Sequence, residues 1–306
     1  AAGRWRPPRI FAPGESSSLL KCWTCSAAWW IDRWYSLPPP GGTGCTKAGV
    51  CGKDHTTAVL QDLLLYATKG IAMYAHRACK LGASDRAVDL FVLEALFTTV
   101  TNVNFDPARL RNLIVKAASI RDKAKTLYEN AGRKSGAAPE ALGGPAALVL
   151  ETTVEGMATQ GEAIGIPGRR EKLGDDVAGL QELLTYGLKG AAAYADHAHV
   201  LGKESDAIMA GFEDHLDFLA KENPSADELV GRCLAAGELN LKVMELLDAA
   251  NTEAYGHPVP TSVRVTPVKG KAILVSGHDL KDLEALLEQT KGKGINIYTH
   301  GEMLPA

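Results

Sequence analysis

Four cysteines near the start of the chain, Cys22, Cys25, Cys45 and Cys51, follow the spacing Cys-x2-Cys-x19-Cys-x5-Cys. A Cys-x2-Cys pair presents two thiolates to one metal from a single turn, and four thiolates complete a tetrahedral set. Zinc accepts that set, and so do the irons of a 2Fe–2S or 4Fe–4S cluster, so the spacing alone does not choose between them. Gly44, Gly49 and Gly52 flank the third and fourth cysteines. Glycines there let backbone N–H groups approach cluster sulfurs closely, which favours iron. A second constellation, His278 and Glu302, lies near the other end of the chain, each residue following a short strand-like run. In open parallel sheets ligands bind at the carboxyl ends of strands, and neighbouring strands are ~4.8 Å apart. These two side chains are therefore candidates to converge on one site, and an imidazole with a carboxylate suits iron.

Composition limits what such a site serves. The chain has 306 residues, 46% hydrophobic and 23% charged, with a net charge of −3. That is enough for two or three domains with real cores. No basic field points to nucleic acid or an anionic membrane, and no apolar run approaches the ~20 residues of a spanning helix. Six cysteines, four of them clustered, are too few for a disulfide scaffold in a chain of this length. A reducing soluble compartment is expected, cytoplasmic or, if the start is a transit peptide, an organelle stroma or matrix.

The elements that must position these residues are mainly helical. Leu60 to Gly82 matches Leu180 to Gly202 at 13 of 23 positions with an offset of 120, an internal repeat. In the first copy Leu60, Leu63, Leu64, Ala67, Ile71 and Tyr74 recur at three- and four-residue steps, which predicts an amphipathic helix with one buried face. Helices over about 86–101 and 107–130 follow the first copy, the latter opened by Asp106-Pro107. Helices over about 206–221 and from Ser225, whose partner Glu228 makes a capping box, to about 250 follow the second. From about 260 the pattern becomes strand (272–275), helix (279–290, with Leu280, Leu283, Leu286 and Leu287 on one face) and strand (295–298). Such crossovers imply parallel strands and the start of a Rossmann-like domain.

The fold class expected is thus mainly α: duplicated three-helix bundles followed by the start of a Rossmann-like α/β domain. The segments are 1–21, disordered or targeting; 22–53, the four-cysteine segment with an insertion at 26–44; 54–135, the first bundle; 136–174, a linker; 175–258, the second bundle; and 259–306, the first strand-helix-strand unit of a truncated α/β domain.

Several of these runs resemble the hybrid cluster proteins, the prismane or hydroxylamine reductase family. They are Gly44 through Lys53, Thr101-Asn102-Val103-Asn104-Phe105-Asp106, the repeated Leu-Gln-Asp/Glu-Leu-Leu helices, Ser276 through Leu283, and Tyr298 through Ala306. The resemblance runs from about residue 45 to 306 and covers the family's N-terminal portion. It implies that Cys22, Cys25, Cys45 and Cys51 hold a 4Fe–4S cluster, the family also having a 2Fe–2S form. It implies that His278 and Glu302 bind an oxygen-containing hybrid 4Fe–2O–2S cluster, whose remaining ligands, a further Glu and four Cys, lie past residue 306. The activity implied is reduction of hydroxylamine to ammonia or of nitric oxide to nitrous oxide. The implied partners are a small nitrogen-oxide substrate and an electron-donor protein, with no nucleic acid and no membrane. The chain as given is not expected to catalyse this alone. The link between Cys25 and Cys45 is longer than the family's, and the Gln-rich sequence usual around the second cysteine is absent. Readings from other classes are a non-catalytic electron-transfer or partner-binding helical module and a zinc-stabilised scaffold.

The remaining candidates are read plainly. Cys79 and Cys233 lack partners at ligand spacing and are expected as half-buried thiols. His76, His197 and His199 are expected to pack, cap or face water, and His300 is a candidate donor to Glu302. The insertion 26–44, which carries Trp29, Trp30 and Trp34 and then Pro38 to Gly42, reads as a loop. Lengthening a loop costs only ~0.6 kcal/mol per doubling. Replacing 26–44 by a short Gly/Ser link should therefore leave bound iron and visible absorption after anaerobic reconstitution unchanged, and loss of iron from the shortened form alone would refute the loop reading.

Overall fold

The computed structural model describes residues 52–100 and 103–303, and of Glu302 only the backbone. Cys22, Cys25, Cys45 and Cys51, the segment 1–21, the insertion 26–44 and Thr101-Asn102 lie outside the described residues.

Helix α1 (His55–Lys80) starts where Asp54 accepts a hydrogen bond from the Thr57 amide at 2.6 Å. Helix α2 (Arg86–Thr98) is capped by Asp85, and α3 (Pro107–Ser135) by Asp106 with Pro107 in the first turn, where its missing N–H costs nothing. Gly136 ends α3 at φ 75°, a conformation that favours glycine. The second half repeats the order with α6 (Asp175–Val200), α7 (Asp206–Leu219) and α8 (Ala226–Tyr255). Ser225 and Glu228 form the reciprocal capping box expected at the start of α8.

The halves do not stack as separate bundles. The first repeated helix, α1, packs on α7 of the second half, and its counterpart α6 packs on α2 of the first. One continuous core therefore runs from Leu60 and Leu64 through Phe91 and Leu110 to Leu188, Phe212 and Val243. Each fully buried Leu or Phe contributes ~1.5–3 kcal/mol relative to exposure.

The structure differs from the sequence reading in two places. Helix α1 is buried nearly all round, since Val59, Leu65, Ala72 and Ala75 are buried along with the expected stripe. The segment 136–174, expected as a linker, contains a 3-10 turn (Gly144–Ala147) and two helices, α4 (Val154–Ile164) and α5 (Ile166–Leu173). Both differences have one cause. The 3-10 turn and α4 lie on α1, and their glycines permit contact between backbones rather than marking a loop. A Cβ on Gly161 would sit 2.1 Å from the Val59 carbonyl oxygen, and one on Gly70 would sit 2.2 Å from that of Pro145.

After α8, residues 256–270 run extended with Val259, Val263 and Val265 exposed. Strand β1 (Lys271–Ser276), helix α9 (Leu280–Thr290) and strand β2 (Ile295–His300) follow, and the two strands pair in parallel with Lys271 opposite Ile295 and Ser276 opposite His300. Among the described residues no helix is long and apolar enough to cross a membrane.

The repeat supplies its own control for the glycine argument. Gly190 of α6 corresponds to Gly70 of α1, yet a Cβ on Gly190 would meet nothing within 4 Å. Gly70→Ala should destabilise the chain by about 1–3 kcal/mol through overpacking, whereas Gly190→Ala should stabilise it by about 0.5–1 kcal/mol through helix propensity. Urea unfolding of both variants checks the opposite signs.

Candidate functional site

Strand register brings the His278 and Glu302 positions together. Ser276 ends β1 opposite His300 at the end of β2, so His278 and Glu302 each stand two residues beyond the carboxyl ends of adjacent parallel strands. The two turns hold each other. Gly301 reverses the chain at φ 66°, where a Cβ would press to 3.1 Å from the Ser276 hydroxyl oxygen. The Met303 methyl lies where a Gly277 Cβ would meet it at 3.8 Å, and Met303 is buried. His278 and Glu302 are of residue types that together suit iron. Asp279 caps α9 by accepting from the Lys281 and Asp282 amides, which fixes the end of the His278 loop. His300 Nδ1 lies 3.4 Å from Ser276 Oγ.

The strand-helix-strand unit is tied to the helices behind it. Tyr255 at the end of α8 donates to Glu284 of α9 at 3.0 Å, and burial together with that carboxylate pushes the phenol up to about 12. Asp196 on α6 lies within electrostatic reach of Asp279; burial is the main cause of its raised pKa, with His199 and His197 opposing.

At the other end of α1 the cysteine segment enters. Lys53, two residues past Cys51, donates to Gln61 Oε1 at 2.7 Å. Gln61 in turn donates to the Asn104 carbonyl at 3.0 Å, and Asn104 donates to Thr98 Oγ1 at 3.0 Å. This buried chain fixes the start of α1 against the turn between α2 and α3.

Next to it lies a cluster of charged groups that sequence reasoning missed. Asp62 and Lys69 of α1 face Glu182 and Lys189 of α6, with Arg169 of α5 completing the set. Arg169 Nη2 meets Glu182 Oε1 at 2.6 Å, and Lys189 Nζ reaches the Thr99 carbonyl at 3.4 Å and lies 5.0 Å from the centroid of the Tyr186 ring. Lys69 and Lys189 are 8% and 7% exposed. Burial, opposed by Lys189, raises Asp62 to about 7; burial also lowers Lys69 to about 7 and lowers Lys189. The signal was present in the repeat: Asp62/Glu182 and Lys69/Lys189 occupy equivalent positions in otherwise apolar helices.

The other candidates stay apart. His76 pairs with Asp214 at 3.4 Å, His199 with Glu204 at 2.6 Å, and His197 stands edge-on to Phe97. Cys79 and Cys233 are half-buried free thiols, and among the described residues no group of three metal-ligating side chains forms.

The helical platform ending in a parallel strand-helix-strand edge has known counterparts. The chain belongs to the Prismane/CO dehydrogenase family, whose model matches residues 20–306, a span that takes in all four clustered cysteines. It is 52% identical to the hydroxylamine reductase of Acidithiobacillus ferrooxidans over 268 residues, 87% of this chain and 48% of the relative. It is 53% identical to that of Burkholderia lata over 286 residues, 93% and 50%, and 49% identical to that of Geobacter sulfurreducens over 267 residues, 87% and 48%. The chain spans about half the length of the curated relatives it matches. Membership of this family implies an iron–sulfur cluster.

One acidic pair at the seam between the halves yields a pH prediction. Glu213 of α7 is 4% exposed and hydrogen-bonds Asp89 of α2, so the two carboxyls share a proton; burial foremost, then Asp89, raises Glu213 to about 9. Because the folded pKa is raised, the stabilisation is full below the ordinary carboxylate range and is lost as pH rises through about 9. Between those limits wild-type stability should fall by up to ~1.4 kcal/mol per pH unit from this group, while Glu213→Gln should show a flatter profile. Urea midpoints at pH 5, 7 and 9 for the two proteins test this.

Proposed function

We propose that this chain is the N-terminal half of a hydroxylamine reductase, an iron–sulfur oxidoreductase. In this reading Cys22, Cys25, Cys45 and Cys51 hold a 4Fe–4S cluster, with 2Fe–2S the alternative form. His278 and Glu302 hold one edge of a hybrid 4Fe–2O–2S cluster that the whole protein completes. The observation that carries the reading is the register of Ser276 opposite His300, which sets the two ligand positions side by side on neighbouring strands. The named relatives and the reach of the family match to residue 20 support it.

The hybrid cluster, with His278 and Glu302 among the residues that would hold it, would supply electrons for breaking the N–O bond of a small nitrogen-oxide substrate, hydroxylamine or nitric oxide, and an electron-donor protein would be the partner. The rest falls to this chain's residues. Asp279 orients the His278 loop by capping α9, and Gly277 and Gly301 let the two turns pack closely on Met303 and Ser276. Lys53 and Asp54, two and three residues past Cys51 in the sequence, are fastened to the first turns of α1. The described half supplies two of the hybrid cluster's ligands, so it is inactive alone.

The roles of the two ligand sets separate by mutation. His278→Ala and Glu302→Ala should leave iron bound by the 306-residue chain unchanged, because four thiolates already form a complete set. In a protein completed to the length of its relatives the same changes should remove hydroxylamine reduction and the hybrid-cluster paramagnetic signal, with the cysteine-held cluster retained. Loss of iron from the 306-residue His278→Ala chain would overturn the four-cysteine assignment, and full activity in the completed mutants would overturn the roles of His278 and Glu302. Visible absorption distinguishes iron thiolates from the zinc scaffold, which is colourless.

A further inference from the structure

Helix α8 carries two apolar seams, and the bundle uses one of them. The inner seam, Leu229, Ala236, Val243, Leu247 and Ala250, is buried where α8 packs on α6 and α7. The outer seam, Val230, Leu234, Gly237, Leu241 and Met244, is exposed throughout, Leu234 to 70% and Leu241 to 62%. Its members follow one another at alternating four- and three-residue steps over about 21 Å, which is the spacing of a seam between packed helices. Single exposed apolar side chains are ordinary, but a run at this spacing marks an interaction surface. A Cβ on Gly237 would meet nothing within 4 Å.

Helix α6 extends the same open side. It runs parallel to α8, since Cys233 Sγ lies 3.8 Å from the Leu180 carbonyl near one end and Ala198 packs with Leu247 and Ala250 near the other. At about 100° per residue, Leu183, Gly187 and Gly190 of α6 then fall on the same side of the α6–α8 contact as the outer seam of α8. Leu239, half a turn round α8 from that seam, closes on Gly211 of α7, so α7 lies on the opposite side. The repeat shows the covered form of such a face. In the first half a Cβ on Gly70 would sit 2.2 Å from the Pro145 carbonyl oxygen, whereas one on Gly187 or Gly190 would meet nothing within 4 Å.

We propose that this open side is the docking surface for the second half of the complete protein, which lays on it a helix whose apolar seam is flanked by lysine or arginine. This rests on the reading of the chain as the N-terminal half of a longer protein. Length supports that occupant, since the matched part of this chain is 48–50% of the relatives. Continuity supports it too: α8 leads through the extended 256–270, with Val259, Val263 and Val265 exposed, into a two-stranded sheet with Leu274 exposed, so uncovered apolar residues continue along the chain. Charge sets the chemistry of the docked helix. The exposed Asp227, Glu238 and Glu245 line one edge of the seam and Asp248 closes its end, against Lys242. A second copy would bring the same carboxylates to the same rim, like against like, whereas lysine or arginine beside the partner's seam answers them.

The test compares the 306-residue chain with the protein completed to the length of its relatives. Leu241→Cys, labelled with a maleimide and read by peptide mass spectrometry, should react rapidly in the shorter chain and at least ~tenfold more slowly in the completed protein. Lys125→Cys, on the exposed flank of α3, should react alike in both. Leu234→Asp should leave the urea midpoint of the shorter chain little changed and lower that of the completed protein. Glu238→Lys combined with Glu245→Lys should speed labelling at position 241 in the completed protein. Equal labelling of Leu241→Cys in the two proteins would overturn the proposal. So would slow labelling in the shorter chain: loss of that protection on dilution would assign the side to a second copy, and its persistence to another segment of the same chain. Unchanged labelling in the lysine double variant would overturn the basic flank. None of these readouts uses turnover, so a completed protein that does not reduce hydroxylamine would overturn the activity and leave the docking result standing.

Discussion

A helix buried on every side must find a partner for each polar group it carries, and α1 imposes that constraint on the whole molecule. Its apolar residues place it at the centre, where α3, α4, α7 and the 3-10 turn surround it. Gln61, Asp62 and Lys69 go in with it. An unpaired polar or charged group in such a place costs several kcal/mol, so the neighbours are chosen to answer them. Gln61 receives Lys53 and reaches Asn104, and the charges on Asp62 and Lys69 are met by Glu182, Lys189 and Arg169. The same crowding requires glycine at positions 70 and 161, where any side chain would meet backbone.

Duplication answers the constraint and then departs from it. Because α6 carries the same sequence pattern as α1, it brings a matching carboxylate and lysine within electrostatic reach of Asp62 and Lys69. Yet α6 is covered less completely. Leu63 of α1 is fully buried, whereas its counterpart Leu183 is 60% exposed. The difference lies in the 3-10 turn and α4, which cover the first copy and have no equivalent over the second among the described residues. Equal sequences thus acquire unequal environments, and the charged seam lies between an enclosed helix and an open one.

Much of this was legible in the sequence, for reasons that are local. Asp106-Pro107, Ser225 with Glu228 and the leucines of α9 announce helix starts and faces because caps and periodicity act within one or two turns. The strands were legible as short apolar runs at 272–275 and 295–298, which the structure extends to 271–276 and 295–300, and their parallel pairing followed from the helix between them. What stayed hidden depends on distant contacts. The segment 136–174 was expected as a linker, and only the position of the Val59 carbonyl shows why the helix at Val154–Ile164 needs Gly161. The charged seam was hidden likewise, since a lysine in an apolar helix reads as an exposed residue until a second helix is seen to cover it.

The placement of the two candidate sites follows from these same contacts. The chain leaving Cys51 is fastened at the start of α1, and the His278 loop lies beside Asp196 near the end of α6. Between these regions Asp62 and Lys69 of α1 and Glu182 and Lys189 of α6 act on one another electrostatically. Rigid helices fix relative position far better than loops. The buried charges at that seam are costly, and well-packed apolar residues of similar size would serve stability alone as well or better.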